Sequence, residues 1–263
     1  MKVLIKGAGD LASGIAVRLK RSGFDLVMTE IPVPTTVRRT VAFSPAVYQG
    51  AAQVEELTGV LVSNIEDVDA ANRKGQVPVV IDEQARIREA WQPDVVVDAI
   101  LAKRNLGTAI DDAKLVIGVG PGFTAGVDCH CVVETKRGHN LGRCIYKGSA
   151  APNTGVPGMI GGYDKERIIR AVSSGSFCGA VKIGDLVVKD ELLGYSGEDP
   201  IYAQIGGVVR GLLQDGVEVN AGMKSGDIDP RGCVEHCFTV SDKALAIGGG
   251  VLEAVMHGMN PLG

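Results

Sequence analysis

No apolar run in this chain reaches the length of a transmembrane helix, and its opening residues show no charged leader followed by an apolar stretch. Membrane insertion and secretion are not expected, and the reading is a cytoplasmic protein. An excess of positive charge is also lacking: 27 Lys and Arg stand against 31 Asp and Glu, the net charge is −4, and the basic residues are scattered. That balance offers no footprint for nucleic acid or an anionic membrane. The C-x-x-C spacing of common structural metal sites is missing too, although six cysteines are present. In a cytoplasmic protein these read as thiols rather than disulfides. Cys129-x-Cys131 and Cys233-x-x-x-Cys237 each enclose a histidine, His130 and His236. They make a zinc or iron site if the fold brings the pairs together, and are otherwise small core residues.

What is present points to a globular α/β protein. At 263 residues and 45% hydrophobic content the chain can bury a core in one large or two small domains. Its 36 glycines follow no collagen-like period and imply many turns or phosphate loops.

The first thirty residues organise the rest. Val3-Leu4-Ile5 reads as a buried strand that stops at Gly7-Ala8-Gly9-Asp10-Leu11-Ala12. Helical spacing of Leu11, Ile15 and Leu19 follows, and then a second strand, Asp25-Leu26-Val27-Met28, closing on Glu30. This is G-x-G-x-x-A on a strand-turn-helix with an acid at the end of the next strand. Gly7 permits the sharp turn, Gly9 lets backbone approach a pyrophosphate, and small Ala12 allows close helix packing. The helix offers unpaired N–H groups and its positive dipole end to phosphate, with Asp10 in the same turn. Glu30 is placed to accept hydrogen bonds from ribose hydroxyls, favouring NAD over NADP.

Further along, the prolines of Ile31-Pro32-Val33-Pro34 mark a connection, and Thr35 or Thr36 can cap a short helix through Phe43. Two β-like pieces, Gln53 to Leu57 and Val60 to Ser63, precede a helix that Asn64 caps and Gly75 stops. A regular alternation follows: strand Val77 to Asp82, helix Glu83 to Trp91, strand Asp94 to Ile100, and strand Leu115 to Val119. Apolar strands alternating with helices mean a parallel sheet, whose ligands bind beyond the carboxyl ends of the strands. Those ends carry Asp82, Asp98, Lys103-Arg104-Asn105 and Gly120-Pro121-Gly122. Asp98, Lys103 and Asn105 form a second candidate cluster: the lysine for a phosphate or carboxylate, Asn105 for a carbonyl or ribose, Asp98 to hold the lysine. A polar surface loop is the alternative.

From Gly126 the chain turns β-rich. Alternation along 128–135 puts Asp128, His130 and Glu134 on one strand face, with a hairpin turn at 136–140 and a return strand Leu141 to Tyr146. Asp128, His130, Glu134 and His139 can ligate a divalent metal or act as acid and base. A turn-rich connection, Ser149 to Gly158, leads to a helix from Lys165 to Val172. Residues 171–194 then repeat 32 residues later: Ala171 on Ala203, Gly175 on Gly207, Gly179 on Gly211, Gly184 on Gly216, Val187 on Val219, Gly194 on Gly226. Duplicated half-motifs of this kind suggest a barrel-sandwich hybrid, the fold of biotinyl and lipoyl carriers. The hairpin Ser196-Gly197-Glu198-Asp199-Pro200 has no lysine, so biotin or lipoate attachment is not expected. Gly248-Gly249-Gly250 opens a terminal amphipathic stretch of about two turns, and cradles another phosphate or allows close helix packing.

The expected architecture is thus a Rossmann-like parallel-sheet domain over 1–125 and a mostly β region over 126–263. The latter contains a barrel-sandwich-hybrid module at about 171–227 and ends in a helix.

Several motifs together resemble the YqeB family of the selenium-dependent molybdenum hydroxylase system: Gly7 to Ala12, Asp98 to Asn105, Gly120-Pro121-Gly122-Phe123 and the Asp128 to Gly142 hairpin. Pro152-Asn153-Thr154-Gly155 and Asp227-Ile228-Asp229-Pro230-Arg231 complete the set. The Rossmann-like part is similar to XdhC-type accessory proteins that handle molybdenum cofactor. Family members commonly carry valine or alanine at the places of Cys129 and Cys131, which counts against a cysteine metal site. The resemblance implies an accessory or maturation role beside a molybdenum hydroxylase, and transfers no catalytic residues. The ligand that the glycine turn indicates for such a protein is NAD or a molybdopterin-type dinucleotide, contacted by Gly7, Gly9, Asp10, Ala12 and Glu30, with Lys103 and Asn105 toward its reactive end. Two alternatives stand beside it. One is an NAD-dependent oxidoreductase in which His130 or Lys103 passes a proton, the other a protein-binding scaffold. The apolar segments also leave room for a homo-oligomer.

Overall fold

A computed structural model describes residues 1–153, 155 and 158–259. The expected connection from Ser149 to Gly158 therefore includes Thr154, Val156 and Pro157, which lie outside the described residues, and the Pro152–Gly155 motif is described only in part. The chain divides into two compact units. The larger comprises Met1–Pro34, Ala42–Thr154 and Val240–Gly263, and the smaller Thr35–Val41 and Gly155–Thr239. The division expected at 125/126 is displaced for two reasons. Residues 131–133 and 144–145 add strands to the first sheet, and the C-terminal helix packs on it as well.

The larger unit runs β1 (Lys2–Lys6), α1 (Asp10–Arg21), β2 (Asp25–Glu30), α2 (Ala46–Gln49), β3 (Ala51–Val54), β4 (Leu57–Val62), α3 (Ile65–Arg73) and β5 (Val77–Ile81). It continues with α4 (Ile87–Trp91), β6 (Val95–Asp98), β7 (Leu115–Val119), β8 (Thr124–Ala125), β9 (Cys131–Val133), β10 (Cys144–Ile145), β11 (Gly148–Ser149) and α5 (Asp242–Met259). Among the described residues, one sheet has the order β10-β9-β7-β6-β1-β2-β5-β4-β3. From β5 through β2, β1, β6 and β7 to β9 every pairing is parallel. The chain builds outward from β1 to β2 and β5, then returns to lay β6, β7 and β9 on the other side. The strand order therefore reverses between β1 and β6.

Alternation along the strands fills both faces. Val3, Ile5, Leu26, Met28, Val97, Ile117 and Val133 pack on α1 and α5. Leu4, Val27, Val96, Val116 and Val132 face the opposite core with Val68 of α3 and Trp91 of α4. Helix α5 is far longer than two turns, with 18 residues. Gly248 and Gly250 serve close packing, whereas Gly249 faces open space. A Cβ on Gly250 would lie 2.1 Å from the Gly142 carbonyl, and one on Gly248 2.8 Å from the Gly14 carbonyl. In α1, a Cβ on Gly14 would come within 2.6 Å of the Ala244 Cβ, so only glycine admits this helix contact.

Local elements depart from the sequence reading where tertiary pairing overrides propensity. Asn64 does cap α3, accepting from the Asp67 amide at 2.8 Å. The helix expected through Phe43 shrinks to a single 3-10 turn, Arg39–Val41, because Val37 offers its carbonyl to the Leu212 amide at 2.7 Å. The hairpin turn between β3 and β4 falls at Glu55-Glu56, not Thr58-Gly59.

The smaller unit holds β12 (Ile168–Arg170), β13 (Gly175–Gly179), β14 (Leu186–Val187), β15 (Leu192–Ser196), β16 (Asp199–Tyr202), β17 (Gly207–Leu212), β18 (Glu218–Val219) and β19 (Lys224–Asp229). A strand replaces the helix expected over 165–172, since β12 pairs antiparallel with β19. The repeat is visible in the strands: β13, β14 and β15 begin 32 residues before β17, β18 and β19. The halves exchange their short strands, β14 pairing with β17 and β18 with β13. Two sheets result, β12-β19-β17-β14 and β16-β15-β13-β18, around Phe177, Leu193, Val209, Leu213 and Ile228. The acids of the Asp227–Arg231 motif are buried and paired, Asp227 with Arg167, and Asp229 with Arg231 at 2.6 Å and Arg210 at 3.5 Å.

Candidate functional site

The carboxyl ends of β1, β2, β6, β7 and β9 lie at one end of the larger unit, because these strands are parallel. After β1 the chain turns at Gly7, whose φ of +93° is left-handed and disfavours side-chain-bearing residues. A Cβ at Gly7 would also lie 3.1 Å from the Ala99 carbonyl, so the loops after β1 and β6 touch. Gly9 is the N-cap of α1, and Asp10 is an acid in the first turn. The turn is held from beneath. Ser13 donates its hydroxyl to the Ala8 carbonyl at 3.2 Å, and the Ser44 amide donates to the same carbonyl at 2.9 Å. Ala12 is buried against the core of the sheet.

Glu30, at the end of β2, turns its carboxylate onto this loop. Oε2 accepts from the Ala8 amide at 3.0 Å and Oε1 from the Ile31 amide at 2.9 Å. Burial raises its pKa above the usual value, and the two amide bonds oppose that rise. The acid is half-buried and beside the glycine turn, with lone pairs left for a further donor.

The Asp98 cluster is arranged differently from its expectation. Asp98 pairs with Lys6, its register partner on β1, at 3.5 Å, with side chains only 3% and 7% exposed. Thr108 bridges them, accepting from Lys6 Nζ and donating to Asp98 Oδ2, each at 2.6 Å. Lys103 is exposed. A β-strand lysine next door outcompetes a loop lysine because its backbone is already fixed, so that only its side chain has to be ordered. Asn105 accepts on its carbonyl from the Gly107 and Thr108 amides, an Asx-type staple of its loop, and donates its amide to the Thr108 carbonyl and, at 3.4 Å, to Asp128. Between these anchors Leu101 and Lys103 take left-handed φ angles of 61° and 63°. Two such non-glycine residues in one loop at a strand end store strain of the kind found at functional sites.

The proposed metal ligands do not converge, because the strand is only Cys131–Val133. Asp128 accepts from the Thr124 amide at 2.8 Å. His130 accepts on Nδ1 from the Val116 amide at 3.0 Å, capping the side of β7. Glu134 is buried and accepts from the Lys136 and Ala151 amides at 2.7 and 2.8 Å, while His139 is exposed. Among the described residues no three His, Cys, Asp or Glu side chains are grouped to hold a metal. Cys129 and Cys131 point to opposite faces of the sheet, into separate cores. Burial pushes the Cys129 thiol up to about 11. Cys131 instead meets Cys144, and the hydrogen bond between them lowers the first thiol and raises the second.

Two site residues were not singled out in the sequence. Lys6 was hidden as the polar end of an apolar strand. Lys243, in the first turn of α5, is half-buried beside Arg137, Asp10, Glu134 and Asp242. Burial and then Arg137 lower its pKa, and the three acids oppose them. Its signal was weak: an Asp-Lys pair ahead of an apolar run.

No protein-family model matches the sequence. Over 254 residues the chain is 50% identical to "Uncharacterized protein YqeB" of Escherichia coli K12, an overlap of 97% of this chain and 47% of that protein. The chain thus spans about half the length of the curated relative it matches. Among solved structures it is similar to an aspartoacylase family protein from Mesorhizobium loti, with 9% identity, a TM-score of 0.28, and 86% and 84% of the two chains covered. At that score the likeness bears on neither fold nor activity. No helix among the described residues is long and apolar enough to cross a membrane. Of the resemblance read from the motifs, the kinship with YqeB is supported at the level of sequence: across nearly its whole length this chain is a relative of YqeB.

Proposed function

We propose that the larger unit is a Rossmann-like domain that binds a dinucleotide, NAD or a molybdopterin-type dinucleotide. In this reading the pyrophosphate sits at the Gly7–Asp10 turn, against the N-terminus of α1. One carrying observation supports it: the glycine turn stands where the strand order reverses, between β1 and β6, with Glu30 bonded to that same turn. Doubly wound sheets take their ligands at that reversal, outside the carboxyl ends of the strands. Glu30 then meets the ribose of the half nearest β2. The smaller unit is read as a barrel-sandwich hybrid, supported by the exchanged short strands of its two halves. It serves as a docking module, without a carried biotin or lipoate.

The physiological role follows the motif resemblance: an accessory or maturation factor of a selenium-dependent molybdenum hydroxylase, acting in the cytoplasm. Calorimetric titration with NAD and with a molybdopterin dinucleotide tests the binding reading. Binding of one of them that is weakened in Glu30→Ala is the expected result. Absence of heat with either ligand removes the dinucleotide role. Co-purification of the hydroxylase with the tagged protein tests the partner separately.

A further inference from the structure

Helices α1 and α5 run parallel and in phase. Gly14 abuts Ala244, and one turn later Arg18 abuts Gly248. At the far end of α5, Gly258 lies against Leu115, the first residue of β7. The first turn of α5 therefore stands at the carboxyl ends of the strands, level with the first turn of α1. It does so over the half of the sheet that holds β7, β9 and β10, since Gly250 meets Val133 and the Gly142 carbonyl. Two helix N-termini thus share one end of the sheet, one over each half of the doubly wound order.

Lys243 is the cation in that second first turn. The charged groups around it come from three elements: Asp10 of α1, Glu134 and Arg137 of the β9–β10 connection, and Asp242 of α5 itself. These groups are already engaged: Glu134 accepts two backbone amides, Arg137 pairs with Asp242 at 2.8 Å, and Asp10 has a partner of its own. Among the described residues no hydrogen bond fixes the Lys243 ammonium to any of them, whereas Lys6, another lysine of this end, is locked to Asp98 and Thr108.

We infer that Lys243 is the contact for the distal half of the bound dinucleotide, donating to the ribose oxygens of that half, beyond the pyrophosphate. The inference rests on the dinucleotide reading above and adds to it a division of labour. The Gly7 turn and Glu30 hold the proximal half, and Lys243 selects a dinucleotide over a nucleoside diphosphate.

ADP and NAD titrated into the wild type and Lys243→Met separate the two levels. ADP carries the proximal nucleoside and both phosphates, and lacks only the distal ribose and its base. Expected is ADP binding that is equal in both proteins, and NAD binding that is tighter than ADP in the wild type and about tenfold weaker in the variant, the loss of one charge-assisted hydrogen bond. Should neither ADP nor NAD bind the wild type, the dinucleotide reading itself fails. If ADP binds and NAD gains nothing over it, or Lys243→Met leaves NAD affinity unchanged, the role of Lys243 is overturned. A second measurement needs no variant: acylation of the Lys243 amine in the wild-type protein, read by peptide mass spectrometry. Protection by NAD and not by ADP supports the contact, and equal labelling with both bound rejects it.

Discussion

The Glu30 carboxylate accepts the Ala8 amide at 3.0 Å, joining the end of the second strand to the turn that follows the first. Burial lifts this carboxyl above its usual 4.5, and the Ile31 and Ala8 amides only oppose that rise. A raised pKa means that the folded chain keeps the proton to higher pH than the unfolded chain. Its contribution to stability is therefore complete below the unfolded value and is lost as pH rises through the folded one. Urea denaturation of wild type and Glu30→Gln between about pH 4 and pH 7 should show the wild type losing ground to the variant as pH rises. A difference that stays level, or grows in favour of the wild type, contradicts a buried carboxyl there.

The contact between α1 and α5 leaves no room for a methyl group at Gly14, because the added Cβ would lie 2.6 Å from that of Ala244. Gly14→Ala should cost about 1–3 kcal/mol through overpacking. Ala244→Gly on the same background should recover part of it, since the two changes share one contact. Additive losses in that double-mutant cycle, measured by denaturant midpoint, argue against direct packing.

How much of this was legible beforehand depended on how local the physics is. The strands around Val79-Val80, Val95-Val96-Val97 and Leu115-Val116-Ile117 were readable because burial on both faces leaves an uninterrupted apolar run. The glycine turn, α1 and the Asn64 cap were readable because turn and cap chemistry acts over a few residues. The 32-residue repeat was readable as spacing alone, and its strands keep that offset. What failed was decided by partners far along the chain. Ile168-Ile169 became a strand because β19 supplies hydrogen bonds almost 60 residues later. Asp98 took Lys6, 92 residues back, over nearby Lys103, through strand register that no window of sequence displays. Lys243 joined the strand ends only because α5 packs alongside α1.

The Lys6–Asp98 pair under the glycine turn is nearly excluded from solvent, with Thr108 between its ends. Removing one partner leaves a buried charge alone, which typically costs about 3–5 kcal/mol. Lys6→Met and Asp98→Leu should each approach that loss, and the double variant should be more stable than either single one. Chemical denaturation of the four proteins decides it, and a double variant that is worse than both singles points to an independent role for each side chain. Asp98 also accepts the Ile100 amide at 3.2 Å. Its loss should therefore loosen the strained Leu101–Lys103 loop, read as faster amide exchange at those residues.

His130 was a candidate acid, base and metal ligand, and the structure gives its Nδ1 to the Val116 amide at 3.0 Å. That bond continues the edge of β7 where the neighbouring strand has not yet begun, and the His130 amide returns a bond to the Val116 carbonyl at 2.8 Å. A side chain so used acts as a substitute for a missing strand residue. Alanine in its place should leave the Val116 N–H without an acceptor and cost about 1–3 kcal/mol of stability. Zinc and iron content of the purified protein should not change, because Asp128, Glu134 and His139 do not converge with it. Asparagine, which can present a carbonyl to the same amide, should restore part of the stability. Should His130→Ala instead strip a bound metal while leaving the unfolding midpoint in place, the histidine is a ligand and its bond to Val116 is incidental.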